Sequence, residues 1–400
     1  MGYNWINSVV DAYKDSESPQ RFYYWAAITA MAAVMRKNIY LDRFHYKLYP
    51  NIYVFLIAKS GMKKGIPISL CKSLVEKSEA SKVISGRNSV PRVIYDLGKL
   101  KTNANGTVPY KEAQALIISG ELASFLVKDL DGLKVLTDLY NTHEHEEKWE
   151  NSLKSTGIDT LTKPCINLFG ATNDDHFAET IPKSDVKGGF IARTFIVYSM
   201  DRGLPNPLVD PPSSIIDVNS FVPYLKDLAK LKGEFKWTKE TADWYKTWYI
   251  DFMQNLPEND VTGYYNRVGD SILKVAMILS LSKRLDLTMD LDALQEAKAE
   301  CMNCGLAAHQ ISMGGSATLS GQTRIVIRAL LSHPEHKISR TQLLKRYWGD
   351  INGYDLDLVI ENLLGAGMIE VKNIGKDRIY VMKDAVVNEY LIYEKKVRGV

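Results

Sequence analysis

Four long apolar runs constrain this chain more than any other feature: NIYVFLIA (51–58), ALIISGE (115–121), CINLFGAT (165–172) and FIARTFIVY (190–198). A half-solvated strand alternates apolar with polar residues. Runs that stay apolar read as strands buried on both faces, as in a largely parallel sheet covered by helices. Helical patterns at 65–79, 89–99, 121–129 and 130–141 fall between them, so an α/β core is expected. Two helices joined by ESPQ precede it within 3–37, and short Tyr-rich strand pieces occupy 38–50. The Pro-rich stretch GLPNPLVDPPSS (203–214) reads as a linker, and 218–313 reads as helical throughout. After MGGSATLSG (313–321), three helices and a strand pair, MIEVKNIGKDRIYVM, make a winged-helix pattern. The expected division is an N-terminal helical segment (1–40), a core (41–202), a helical lid (215–313), a winged helix (320–385) and a tail (386–400).

At 400 residues the chain is too long for one ordinary core, and 46% hydrophobic with 24% charged residues fits a soluble globular protein. A net charge of +3 gives no global case for nucleic acid, so any basic surface must be local. Four cysteines are too few for a disulfide framework, which points to a reducing cytoplasm. WAAITAMAAVM (25–35) is too short to cross a bilayer and reads as a buried helix, and the N-terminus lacks a signal-peptide pattern. No membrane association is expected.

The first strand run enters a bend, AKSGMKKG, and a helix leaves it with Pro67 in its first turn, where proline is tolerated. A phosphate-binding loop needs inward backbone N–H groups, a lysine and a hydroxyl, usually spaced G-x-x-x-x-G-K-[ST]. Here Ala58, Lys63 and Gly65 stand at three of those four positions and Lys64 alone matches. A strand–turn–helix with two surface lysines is the plainer reading, although a helix start after a tight turn favours anions regardless of consensus. At the end of the second run, Gly120-Glu121 stands where a hydrolytic loop enzyme carries an acidic pair. A helix-capping Glu is the alternative. The third run ends in Thr172-Asn173, whose side chains could reach a phosphate or form an Asx turn. In KGGFIARTFIVY, Arg193 sits in an otherwise apolar strand. A buried arginine needs an anion, either an internal carboxylate or a phosphate supplied across a subunit boundary. Arg267, in YYNRVGDSILKVA, has an ion pair with Asp270 as its plainer reading.

Taken in order, S-G-x-x-K at 60–64, G-E-L at 120–122, G-G-F-I-A-R-T at 188–194 and R-x-x-D-x-x-L-K-x-A at 267–276 resemble the P-loop ATPase module of phage- and plasmid-type primase–helicases, a RecA/AAA+-like group. The resemblance covers about 20–310. It implies ATP and Mg2+ as cofactors. Ser60, Gly61, Lys63, Lys64, Gly65 and Ile66 would cradle the phosphates, with Lys64 on the β/γ-phosphates. Glu121 would be the catalytic carboxylate, Asn173 a sensor, Arg193 an arginine finger on a neighbour's nucleotide and Arg267 a second sensor. It further implies a homo-oligomeric ring, a hexamer, acting on single-stranded DNA beside other replication proteins. Gly65 and Gly120 depart from the pattern by removing the usual magnesium hydroxyl and aspartate. A nucleotide-binding assembly or loading factor that does not hydrolyse is therefore the alternative.

Channel loops of such a ring are expected at NSLKSTGIDTLTK (151–163) and ETIPKSDVKGG (179–189), with Lys154, Lys163, Lys183 and Lys187 on phosphates, ordinary solvated loops being the alternative. The third helix of the C-terminal pattern carries Asp355, Asp357 and Glu361, which phosphates would repel, so it reads as a packing or partner surface. Lys372, Lys376 and Arg378 of the wing are its DNA-facing candidates. HEHEE (143–147) reads as a solvated loop and C-M-N-C (301–304) as thiols on a helix rather than metal sites.

Overall fold

The computed structural model describes residues 3–86, 88–98, 112–126, 130–144, 147–153, 157–173, 177, 189–199, 203, 217–256, 260, 262–313, 319–349, 351–374 and 377–387. These divide into two compact units, 1–309 and 310–400. The first is a mixed α/β structure. The expected N-terminal segment, core and helical lid pack within this one unit, and its boundary falls inside the helix Leu291–Met313.

The first unit opens with helices α1 (Trp5–Ala12) and α2 (Gln20–Met35) and the short strands β1 (Ile39–Asp42) and β2 (Lys47–Leu48). Next come β3 (Tyr53–Ile57), α3 (Gly65–Ser78), β4 (Lys82–Ser85), α4 (Val90–Gly98), β5 (Gln114–Ser119), α5 (Leu122–Leu126) and α6 (Leu130–Tyr140). A hairpin of β6 (Lys148–Leu153) and β7 (Gly157–Thr162) precedes β8 (Cys165–Thr172) and β9 (Thr194–Tyr198). Five of these strands form one sheet in the order β4-β5-β8-β3-β9, and every pairing in it is parallel.

The inner strands of the sheet are buried on both faces, as parallel strands covered by helices are. All five residues of β3 are fully buried, and all eight of β8 are buried. Each buried Val, Leu, Ile or Phe contributes about 1.5–3 kcal/mol when covered by helices. Helix α2 supplies much of that cover. It is apolar all round, buries thirteen of its sixteen residues, and packs against β3, β5, β8, β9 and α3. The helices α5 and α6 also pack on β8. Gly170, in the middle of β8, makes this fit possible: a Cβ there would come within 3.1 Å of Leu122 and 3.2 Å of Phe55.

Three expectations need correction. The stretch 218–313 is not helical throughout. Helices Val222–Leu228, Lys239–Gln254, Val268–Lys283 and Leu291–Met313 are interrupted by β10 (Gly233–Glu234), which pairs in parallel with β1, and by a bridge between Lys236 and Thr288. The segment 151–163, expected as a channel loop, is mostly β-hairpin, because Trp149 and Leu161 face each other across the pair and are both buried. Arg193 is not on a strand. It ends a single 3-10 turn, Ile191–Arg193, and β9 begins only at Thr194.

The second unit holds helices Leu319–Ser332, Arg340–Arg346 and Gly353–Gly365. Its antiparallel sheet has the order β11-β13-β12, formed by β11 (Lys337–Ser339), β12 (Ile369–Ile374) and β13 (Asp377–Met382). Val326, Leu330, Leu343, Leu356, Leu363 and Tyr380 belong to its core. Ser339 and Asn352 cap the second and third helices through their side chains. Among the described residues of the whole chain, no helix is long and apolar enough to cross a membrane.

Candidate functional site

Parallel strands bring all their carboxyl ends to one edge, and ligands of open α/β sheets gather there, where the strand order reverses. From β3 the chain travels to the far edge at β4, returns through β5 and β8, then passes β3 to add β9. The reversal therefore lies between β3 and β8. Their ends carry the Ser60–Lys64 bend and Thr172-Asn173, and β5, on the other side of β8, ends at Gly120-Glu121.

Hydrogen bonds tie these three ends together. The Ala58 N–H donates to Thr172 O at 3.5 Å, and Thr172 Oγ1 lies 3.5 Å from Glu121 Oε1, both at the long end of the range. Ser119 Oγ donates to the Glu121 carbonyl at 2.9 Å. In the bend, Gly61 has φ +81° and Lys63 φ +52°, the left-handed conformations that let the chain turn into α3. Lys64 folds back over the turn, its Nζ donating to Ala58 O at 2.5 Å and Lys59 O at 3.0 Å. Lys63 points elsewhere, 3.8 Å from Glu17 in an exposed pair. Ser60, Gly61, Gly65 and Ile66 are exposed, and α3 starts without a side-chain cap; within its first turn the Ile66 N–H donates to Lys63 O at 3.2 Å and Pro67 has no N–H to offer. Asn173 is half-buried, and its carbonyl accepts from Phe177 N at 3.0 Å.

There is room above this edge. A Cβ at Gly65 or at Gly120 would meet nothing within 4 Å. The space beside Gly65 and Gly120 is therefore open, while the Lys64 ammonium is engaged by the bend's own carbonyls. The magnesium donor set is thin: Glu121, the Ser60 hydroxyl and the Thr172 hydroxyl. Mg2+ would take most of its ligands from phosphate oxygens and water, as its chemistry allows. Among the described residues, no group of three or more His, Cys, Asp or Glu is placed to hold a metal.

Arg193 and Arg267 lie at the other edge. Thr194 pairs with Tyr53, the first residue of β3, whereas the bend follows Ile57. The strand length alone separates the two ends by roughly 13 Å at 3.3 Å per residue. Arg193 is buried and held by neutral acceptors, its Nε donating to Asn141 Oδ1 at 3.2 Å and a terminal nitrogen to Gly189 O at 2.9 Å. Burial, and then the charge of Arg267, depress its pKa from the ordinary guanidinium value. It lines a cleft of about 390 Å³ with Lys134, Thr137, Asp138, Asn141 and Phe190. Arg267 is exposed in the 3-10 turn Tyr265–Arg267, which packs against the turn of Arg193. The expected second sensor thus stands beside the expected finger and not beside the loop. Asp270 accepts from Tyr46 Oη at 2.8 Å and 2.9 Å.

One further buried cation belongs to this edge. Lys274, 4% exposed, donates to Asn51 O at 3.0 Å and Asn51 Oδ1 at 2.8 Å, with its ammonium 3.8 Å from the centre of the Tyr140 ring. Burial drives its pKa down to about 7. Asn51 Nδ2 in turn donates to Tyr140 O at 3.0 Å, so the helix Val268–Lys283, the start of β3 and the end of α6 are joined next to Asn141 and Arg193. Sequence reasoning gave Asn51 no role, and took Lys274 only as one letter of the motif at 267–276.

The other candidates fall as follows. Lys163 pairs with Glu112 at 3.4 Å at the base of the β6–β7 hairpin. Lys154, Lys183, Lys187 and Lys376 lie outside the described residues, as does most of the Pro-rich stretch. Lys372 and Arg378 are exposed on the second unit's hairpin. Asp355 accepts from Gln322 and Asn352, and Asp357 takes Arg340 through two bonds of 3.1 Å and 2.9 Å. Cys301 and Cys304 are core thiols, fully buried, with pKa pushed up by burial. The His143 ring lies 5.0 Å from that of Tyr46, tilted by 41°. No protein-family model matches the chain, and no curated protein matches it.

Proposed function

We propose that the chain is an ATP-dependent, ring-forming DNA motor, a replicative helicase of a phage or mobile element that translocates on single-stranded DNA. The observation that carries this reading is the joining of three strand ends at the reversal point of a parallel sheet: the Lys64 bend, Glu121 and Thr172-Asn173. ATP would lie over the bend. Lys64 would exchange its two loop carbonyls for β/γ-phosphate oxygens, a stronger, charge-assisted contact. Glu121, beside Thr172, would accept a proton from and orient the attacking water. Bound Mg2+ would supply charge neutralisation on the phosphates, with Ser60 and Glu121 as the chain's nearest donors.

Arg193 and Arg267 stand too far from the bend to serve the same nucleotide. On this reading their shared edge would meet a neighbour's phosphates, exposed Arg267 directly and buried Arg193 only on leaving Asn141 and Gly189, so that the active site would lie between subunits and turnover would require the oligomer. The C-terminal unit reads as a winged helix whose acidic third helix docks a partner, with Lys372 and Arg378 near DNA. The protein is expected to work in the cytoplasm of a prokaryotic host.

The test is nucleotide binding followed by turnover. Wild type should bind ATP and hydrolyse it faster with single-stranded DNA, Lys64→Ala should lose binding, and particle mass should rise to a ring-sized species with ATP. Absence of ATP binding, or binding indifferent to Lys64→Ala, defeats the proposal. A second reading has its own observation: Gly65 and Gly120 offer no magnesium ligand although both positions have space for one. On that reading the protein is a nucleotide-binding assembly or helicase-loading factor, distinguished by tight ATP binding with no turnover under any DNA condition.

A further inference from the structure

A buried guanidinium is ordinarily met by a carboxylate, and Arg193 is buried without one. Its acceptors are neutral: Asn141 Oδ1 takes Nε, and Gly189 O takes Nη1. Two carboxylates stand nearby, and among the described residues neither pairs with it. Asp138 accepts from Trp149 Nε1 at 2.7 Å. Glu144 is kept one side chain away, because its Oε1 accepts from Asn141 Nδ2 at 2.8 Å. Asn141 directly follows α6, with its N–H on Asp138 O at 3.0 Å, and so stands between the two opposite charges. Gly189 completes the cradle. It has φ +88°, and a Cβ there would come within 2.8 Å of Arg193 Nη1, so any other residue would press on the guanidinium.

Neutral acceptors make this pose reversible. Burial and the charge of Arg267 both oppose the guanidinium where it lies. A carboxylate would offset them and lock the side chain in place. An amide and a peptide carbonyl hold it with bonds that a phosphate, roughly twice as strong an acceptor, can outcompete. The cleft of about 390 Å³ that Arg193 lines with Lys134 and Phe190 gives the side chain room to move. We propose that Asn141 is a positioning residue: it stows Arg193 in the unassembled chain and releases it to a phosphate presented by a neighbouring copy. This control presupposes the motor proposed above and adds a threshold to it, since the arginine is withheld from chains that have not met a loaded neighbour.

Two measurements separate the stow from the motor. The first uses the full chain without nucleotide and follows modification of Arg193 by phenylglyoxal in peptide mass spectra, with exposed Arg267 as the internal standard. In wild type Arg193 should react far more slowly than Arg267. It should react about tenfold faster in Asn141→Ala, the scale of one lost charge-assisted hydrogen bond, and no faster than wild type in Asn141→Asp. Gly189→Ala, which drives a Cβ against Nη1, should raise the reactivity too and serves if Asn141→Ala fails to fold in a thermal melt. The second measurement is ATP turnover against protein concentration. Asn141→Ala should reach half-maximal turnover at lower protein concentration than wild type and Asn141→Asp at higher, whereas a merely structural Asn141 would impair both. The stow is overturned if Arg193 of wild type reacts like Arg267, if the folded variants leave its reactivity unchanged, or if Asn141→Ala and Asn141→Asp shift turnover in the same direction. If wild type hydrolyses no ATP under any DNA condition, the motor falls, and the reactivity series alone decides the stow.

Discussion

Replacing Lys274 by methionine should stabilise the protein below neutral pH and destabilise it in alkali. The side chain is 4% exposed, and its pKa falls from 10.5 to about 7 in the folded state. Between those two values the unfolded chain holds a proton that the folded chain has released, so stability rises with pH across that window. The whole rise is about 5 kcal/mol at 1.36 kcal/mol per pH unit, and below pH 7 the charged ammonium carries that full burden. Methionine removes the burden at similar volume. It also withdraws the donor from Asn51 O and Asn51 Oδ1, at a cost of about 1–3 kcal/mol. Lys274→Met should therefore gain about 2–4 kcal/mol at pH 6, cross wild type near pH 9, and fall below it at higher pH. The assay is a pair of thermal melts at half-unit steps from pH 6 to 10, read as the difference in Tm. Parallel curves would show that Lys274 has an ordinary pKa in the folded state and would refute the reasoning.

Glu121→Gln should keep ATP binding and cut turnover by about 10²-fold or more, the scale of a lost general base, read in a phosphate-release assay. Gly65→Thr combined with Gly120→Asp places ligands where a Cβ meets nothing within 4 Å. It should tighten Mg2+-dependent nucleotide binding by about tenfold or more, measured by calorimetry with and without Mg2+. Arg193→Ala should leave ATP binding intact while lowering turnover by about 10³-fold, and mixing it with Glu121→Gln should recover part of the activity through mixed interfaces. Activity of Arg193→Ala equal to wild type would remove Arg193 from the reaction. Arg340→Ala should cost at most about 1 kcal/mol in a denaturant melt, because its pair with Asp357 is largely exposed.

The central strands were legible because burial on both faces writes a continuous apolar run. CINLFGAT became β8 over the expected residues, and YVFLI lies inside the expected 51–58. The edge strand β4, KVIS, was missed because only Ile84 of its four residues is buried, so it has no run to read. The β6–β7 hairpin was missed for a related reason: Trp149 and Leu161 are single apolar residues among polar ones, and the alternation was taken for a loop. At the site, the sequence order of Lys64, Glu121 and Asn173 was enough to expect them together, because parallel strands deliver their carboxyl ends to one edge. The separation of Arg193 and Arg267 from them depends on strand register, and a list of motifs in order does not contain it. Asn51, Asn141 and Lys274 matter through contacts across 223 and 52 positions of chain, which leave no local pattern.

The sheet's connectivity also dictates how the protein comes off the ribosome. The fully apolar strand Tyr53–Ile57 is hydrogen-bonded only to segments made much later, Cys165–Thr172 on one side and Thr194–Tyr198 on the other. At about 5–20 residues per second, the 141 residues from 57 to 198 take roughly 7–30 s to emerge. YVFLI has no strand partner on either flank until Thr172 is made, 115 residues after Ile57, and none on its second flank until Tyr198. Synthesis thus creates a long-lived sticky intermediate, in need of a holding chaperone. Slow codons or truncations between β3 and β9 should send the product to inclusion bodies well before they affect any chemistry.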